Sequence, residues 1–337
     1  MMSVIRFDRD KTKIVKGFAI VFMIILHTLA SPDWYDVAFS TFDNPLVSRI
    51  FSTFKICVGI FTFMVGYGYS FSKNKDLKYS WEHICRLLLP FWVVLFIFTI
   101  PLCKNIDGGM LLQNMFGINS SLNYFSWFVY FFIYAMIVMP FIARVINKKT
   151  WTVVLVIGFS FLCEVAIHSI PNWSDNDFIK TAFNCMMQTP CMVVGYLFAK
   201  HRLFERLKLP TNRYIALLII AICAISAFVI RYYKSSVLGF SLSVIYVPML
   251  VFSIVALFSI FRLKYTTAVL QKLGELSVYM WFFHALFFTD SVRSVYQPLI
   301  LVSDNVFVVA IWTILLTVAA SFVLKSLVDK IEKVVGR

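Results

Sequence analysis

The chain has 337 residues, of which 60% are hydrophobic and only 14% charged, with a mean hydropathy of +0.82. That balance excludes an ordinary water-soluble domain, whose surface needs more charge. A net charge of +14 would suit a nucleic-acid binder, but the placement of the charge excludes that reading and points to a membrane.

The apolar residues come in runs long enough to cross a bilayer, which takes ~20 residues per helix. In chain order the predicted spans are 15–30, 47–72, 84–101, 124–146, 150–170, 179–199, 214–230, 240–261, 269–289 and 300–324. The runs lack the alternation of a membrane β-barrel, so helices that satisfy their own backbone groups are expected. Of the 31 Lys and Arg, 24 fall on the side of the N-terminus, 4 on the opposite side and 3 within spans. This is a strong positive-inside signal. It predicts an all-α integral membrane protein of about ten helices with both termini in the cytoplasm. The opposite loops are acidic, with Asp33, Asp36 and Asp43 in the first and Asp175 and Asp177 in the third.

The start of the chain resembles a signal peptide, with basic residues before an apolar run and Thr28-Leu29-Ala30 as a possible cleavage site. A polar pair within that same run argues for a retained helix. The longest loop, about 102–123, is too short to fold alone, and no internal repeat is visible. Residues 1–337 therefore read as one membrane domain with short basic tails at about 1–13 and 325–337. The seven cysteines form no C-x-x-C pair, and neither a disulfide framework nor a metal site is readable. P-loop, G-x-G-x-x-G, H-E-x-x-H and G-x-S-x-G motifs are absent, which argues against an ATPase, a zinc protease and an α/β-hydrolase.

Ionisable groups inside a membrane are costly, so each is a candidate. Lys16 and His27 are eleven residues apart, three helical turns plus ~20°, and so share one face of the first helix with a rise of ~16 Å. Lys16 then lies at the cytoplasmic mouth and His27 deep in the bilayer. An anchoring lysine and a packing histidine would show the same pattern. Arg86 opens the third span within Ile84–Trp92, where a snorkelling arginine would look alike. His284 stands among Trp281, Phe282, Phe283, Phe287 and Phe288. Glu164 and His168, four apart in the fifth span, could contact a polar acceptor or pair with each other, and pairing is the expectation.

Taken together, several stretches resemble the membrane acyltransferase-3 family. Lys16-Gly17-Phe18-Ala19-Ile20 followed by His27 resembles its opening helix, which begins Arg-Gly-hydrophobic-Ala-Ile with a histidine eleven residues after the arginine. Phe61-Thr62-Phe63-Met64-Val65-Gly66-Tyr67, Arg86 to Trp92, Trp127-Phe128-Val129-Tyr130, and Leu273-Gly274-Glu275-Leu276-Ser277-Val278-Tyr279 with His284 are similar to its later motifs, in order, from about residue 14 to 324. Three departures stand out. Lys16 replaces the arginine and loses its bidentate fork. Val65 replaces a serine. The basic run before Pro90 is reduced to His83 and Arg86.

The resemblance implies transfer of an acyl group, usually acetyl, from cytoplasmic acyl-CoA to a hydroxyl of a cell-surface or lipid-linked glycan at the cell membrane. No metal is implied. His27 and His284 are then the catalytic candidates, Lys16 and Arg86 would hold the anionic end of acetyl-CoA, and Glu164, His168, Trp127 and Tyr130 would face the acceptor. Two rival readings are a transporter or flippase of a sugar or lipid-linked glycan and a non-catalytic partner in glycan synthesis.

Overall fold

The structure is a computed structural model, and it describes residues 3–35, 37–72, 76–233, 236–237, 240–261 and 263–334. Asp36, Lys73, Lys75, Lys234, Arg262 and Arg337, which enter the charge pattern above, lie outside the described residues.

The helices in chain order are α1 (Arg9–Leu29), α2 (Pro45–Ser52), α3 (Ile56–Ser70), α4 (Leu77–Val93), α5 (Gly108–Met115), α6 (Trp127–Lys148), α7 (Thr152–His168), α8 (Asp177–Lys200), α9 (Leu203–Arg206), α10 (Arg213–Tyr233), α11 (Ser243–Ile260), α12 (Lys264–His284), α13 (Arg293–Tyr296) and α14 (Val306–Val334). Each predicted apolar run falls on one or two of them. Among the described residues, seven segments are long and apolar enough to cross a membrane: Arg9–Leu29, Pro45–Ser70, Leu77–Leu102, Trp127–Lys148, Arg213–Tyr233, Ser243–Ile260 and Val306–Val334. Helix α7 is apolar but shorter, while α8 and α12 are long enough but less apolar. Both pack closely within the bundle, α12 along α1 and α8 along α3. Their polar groups, including Gln188, Thr189, Ser277 and His284, are buried against other helices, so they need less lipophilic sequence. Among the described residues the chain is thus an all-α membrane protein apart from two short antiparallel strand pairs, Ser3–Val4 with Lys208–Leu209 and Ser236–Val237 with Phe240–Ser241.

Two elements differ from expectation. The predicted continuous helix 47–72 breaks at a 3₁₀ turn, Thr53–Lys55, between α2 and α3. The ninth run ends as an α-helix at His284 and tightens into a 3₁₀ turn at Ala285–Phe287. After Pro90, which lacks a backbone donor, α4 passes into a π-helical stretch at Val94–Thr99.

Local sequence explains where α1 starts and how it packs. Asp8 caps it by accepting from the Lys11 amide at 2.9 Å. Its Gly17 faces α12 so closely that a Cβ there would lie 2.2 Å from the Leu270 carbonyl oxygen, and a Cβ on Gly274 would lie 1.9 Å from that of Lys13. Small residues that let two backbones touch are a common basis of helix association in lipid. Lys13 Nζ adds a 2.7 Å ion pair to Glu275 Oε1 across the same seam. Gly274→Val should therefore force α1 and α12 apart and lower the thermal midpoint of the purified protein in detergent by several degrees. An unchanged midpoint would show that the seam tolerates a side chain.

Candidate active site

The α1–α12 seam fixes the relation of the two buried histidines. His27, 6% exposed, and His284, fully buried, meet with Nδ1 of His27 2.9 Å from Nε2 of His284. The rings are nearly coplanar, at 4°. His284 Nδ1 lies 3.0 Å from the Met280 carbonyl oxygen. A carbonyl can only accept, so a neutral His284 carries its proton on Nδ1 and presents a lone pair on Nε2. His27 must then donate through Nδ1–H. Its Nε2 is left with a lone pair and no hydrogen-bond partner among the described residues. The pair thus sets the tautomer of His27 in the way a second residue orients a general base.

Aromatic rings wall this pair. Phe125 stacks on His27 at 3.6 Å and 6° and lies parallel to His284 at 5.3 Å. Trp34 and Phe288 approach His27 edge-on at 5.0 and 6.3 Å. Tyr35 donates its hydroxyl to the Thr28 carbonyl oxygen at 3.0 Å. Burial pushes its phenol above the usual range, so it remains a protonated donor. On either side of Phe125 in the chain, Asn123 Oδ1 and Ser126 Oγ are buried without a partner among the described residues, although Asn123 Nδ2 donates to the Phe282 carbonyl oxygen.

Toward the other end of α1 lies a cavity of about 310 Å³ between α1, α3, α4, α6 and α12. That size is at the lower end of the ~300–1,000 Å³ typical of ligand sites. Lys16, Tyr79 and His83 stand at one end, and Phe61, Phe128 and Trp281 at the other. The Trp281 ring packs on Phe128 at 4.5 Å and on Phe61 at 5.0 Å. These three rings separate the cavity from the histidine pair: Trp281 is three residues before His284 and Phe128 three after Phe125. Trp281 Nε1 is buried and donates to nothing among the described residues. At the charged end, Glu275 is paired with Lys13 and also approached by Lys272, which leaves Lys16 as a cation with no ion pair among the described residues.

The structure brings together Lys16, His27 and His284 along one seam. It does not bring Arg86 into the cavity. Arg86 is exposed, and His83, one turn earlier on the inward face, lines the wall instead. His83 Nδ1 donates to the Tyr79 carbonyl at 2.8 Å, which turns the rest of the ring to the mouth. The expected pairing of Glu164 with His168 is absent. Glu164 is buried with both carboxylate oxygens unpartnered among the described residues, whereas the exposed His168 turns outward to Trp173 and Phe183 at 5.7 and 6.3 Å. Residues four apart share a face, but these two side chains lean to different neighbours. Trp127 and Tyr130 are half-buried and outside the cavity, with Tyr130 against Phe178; their neighbours Phe128 and Val129 line it. Reading the sequence alone misses Trp281, Asn123, Ser126 and Phe125. The only available signal was that Trp281 falls one turn before His284.

Fold and site together define a helical membrane protein with a buried, tautomer-fixed histidine pair above a mostly apolar cavity with a cationic mouth. The family model described as an acyltransferase domain matches residues 12–326, and the chain belongs to the acyltransferase-3 family. No curated protein and no solved structure matches it.

Proposed function

We propose that the protein transfers an acyl group, in the first instance acetyl, from acyl-CoA to a glycan hydroxyl, with His27 as general base. The observation that supports this best is the unpartnered Nε2 of His27, whose lone pair is set by the Nδ1–H bond to His284. A neutral imidazole so placed accepts the proton of a hydroxyl as its oxygen attacks the thioester carbon. His284 touches His27 rather than the reacting atoms and is a positioning residue. The thiolate of coenzyme A leaves as the ester forms, and the proton held on His27 Nε2 returns to it. Trp281 Nε1–H, free at the inner end of the cavity, can donate to the thioester oxygen as charge develops there. Asn123 Oδ1 and Ser126 Oγ are the unsatisfied polar atoms available to acceptor hydroxyls.

The cavity fits the slender arm of coenzyme A, with an apolar wall along its length and Lys16 and His83 at the mouth for the phosphates. Lys16→Ala should raise the KM for acetyl-CoA, while Lys16→Arg retains function. A charge-assisted contact is worth ~1.5–3 kcal/mol, so a rise of roughly tenfold or more is expected. An unchanged KM in Lys16→Ala would remove this role.

The orientation proposed is ten crossings in the cell membrane with both termini in the cytoplasm. The charge pattern supports it, and so does the parallel course of α1 and α12, which suits a first and a ninth crossing. Reporters fused after Lys149 and after Arg337 should read cytoplasm, and one at Asp175 outside; a reversal at any of the three contradicts it. The function is tested by incubating purified protein with radiolabelled acetyl-CoA and candidate glycans. Label should move to the glycan. Glycan movement across a vesicle membrane without label would favour a transporter.

A further inference from the structure

The cavity runs along two helical turns. On α3 its wall goes from Tyr69 at the mouth to Phe61 at the inner end, and on α6 from Met136 to Phe128, eight residues and ~12 Å in each case. The two ends differ in chemistry. Lys16 and His83 stand at the mouth with Tyr69 and Tyr79. Phe61, Phe128, Trp281 and Phe282 enclose the inner end, and no charged side chain among the described residues lines it. The histidine layer lies one turn further along α6 and α12, where Phe125 is parallel to His284 at 5.3 Å.

Phe61 differs from the other rings of this end wall. Phe128 belongs to the helix that follows Phe125, and it packs on Phe131 at 5.1 Å as well as on Trp281 at 4.5 Å. Trp281 is on the helix that carries His284. Phe61 comes from α3, which carries neither histidine, and it meets Trp281 at 5.0 Å and Phe128 at 6.4 Å. Its ring is buried and lines the cavity, so cutting it back would add space to the inner end and not to solvent. An apolar space of that kind stays dry and takes up apolar groups.

We propose that Phe61 sets the length of the acyl group: its ring closes the inner end of the cavity, so the donor must carry a short, uncharged acyl chain. This rests on the acyltransferase reading above, in which the phosphates of the donor lie at the Lys16 mouth and its acyl end lies inward. A longer chain presses on the packed rings, and in an apolar pocket one methylene changes selection by roughly tenfold or more. A succinyl group brings a carboxylate to a place with no cation to pair it, which is costly inside a membrane.

The test measures binding of acetyl-CoA, butyryl-CoA and succinyl-CoA to the full chain in nanodiscs, beside transfer of labelled acetyl to glycan. The wild type should bind acetyl-CoA roughly tenfold or more tightly than either of the others. Phe61→Ala should raise the affinity for butyryl-CoA relative to acetyl-CoA by about fifteenfold, since each of two newly buried methylenes contributes about fourfold. Succinyl-CoA should stay weak. Phe61→Leu, a milder change should the alanine variant fail to fold, should shift the ratio the same way by a smaller factor. Phe132→Ala removes a ring midway along the side wall and should leave the ratio as it is. Equal binding of acetyl-CoA and butyryl-CoA by the wild type, an unchanged ratio in the Phe61 variants, or the same shift in Phe132→Ala overturns the role of Phe61. Acetyl transfer that proceeds with any of these results leaves the acyltransferase reading standing. The expected shift in ratio with no label reaching any glycan would keep Phe61 as the gauge of an acyl-CoA site and defeat that reading.

Discussion

His27→Gln is expected to lower acetyl transfer by about 10²–10⁴-fold, the usual contribution of a positioned general base, while insertion in the membrane and acetyl-CoA binding stay near normal. Glutamine keeps a side chain that can hydrogen-bond at the same place but has no basic lone pair. The substitution therefore separates proton acceptance from packing, which His27→Ala alone does not, since it also opens space beneath Phe125. The two variants should be similarly inactive. Turnover by His27→Gln at the wild-type rate would reduce the histidine to a packing or hydrogen-bonding role and send the search for the base elsewhere. Among the described residues the obvious alternative is Glu164, the buried carboxylate without a partner.

The second large effect is expected at His284. Replacing it with Phe keeps a ring of similar size beside Phe125 but removes the acceptor for His27 Nδ1–H. The imidazole of His27 is then free to carry its proton on Nε2, the wrong nitrogen for a base. Loss of a tautomer-setting partner in other histidine-dependent enzymes costs up to ~10⁴-fold in turnover. Here the loss should fall on kcat, with the KM for acetyl-CoA little changed, because the donor mouth lies at the far end of α1. His284→Asn offers an amide oxygen to the same N–H and should recover part of the rate. If Phe and Asn variants both turn over normally, His284 only holds helices together.

Much of this was legible in the sequence because bilayers impose coarse rules. Apolar run length placed every long helix, although α4 begins seven residues before and α14 ends ten residues after the predicted bounds, and the eleven-residue spacing placed Lys16 and His27 on one face of α1. The Leu-Gly-x-x-Ser stretch was also visible, but its meaning was not. Gly274 is there because α1 passes too close for a Cβ, and Ser277 Oγ bonds back to the Gly274 carbonyl at 2.9 Å. What stayed hidden depends on distances between helices that no spacing along one helix encodes. The contact of His27 with His284 spans 257 positions in the chain. His83 lines the cavity while Arg86, three residues further along α4, is exposed, and which of two basic residues one turn apart faces a neighbouring helix depends on packing that the sequence of α4 alone does not state. Glu164 and His168 satisfied the i, i+4 rule and still parted, because Trp173 and Phe183 compete for the histidine ring.

The central claim is that acyl transfer runs through the lone pair on His27 Nε2. It is tested most directly by single-turnover transfer of labelled acetyl from acetyl-CoA to a glycan acceptor, wild type beside His27→Gln, each with its donor occupancy measured in the same sample. Rapid transfer by the wild type and at least 10²-fold slower transfer by the variant at equal donor occupancy is the expected result. Equal rates at equal occupancy would contradict it.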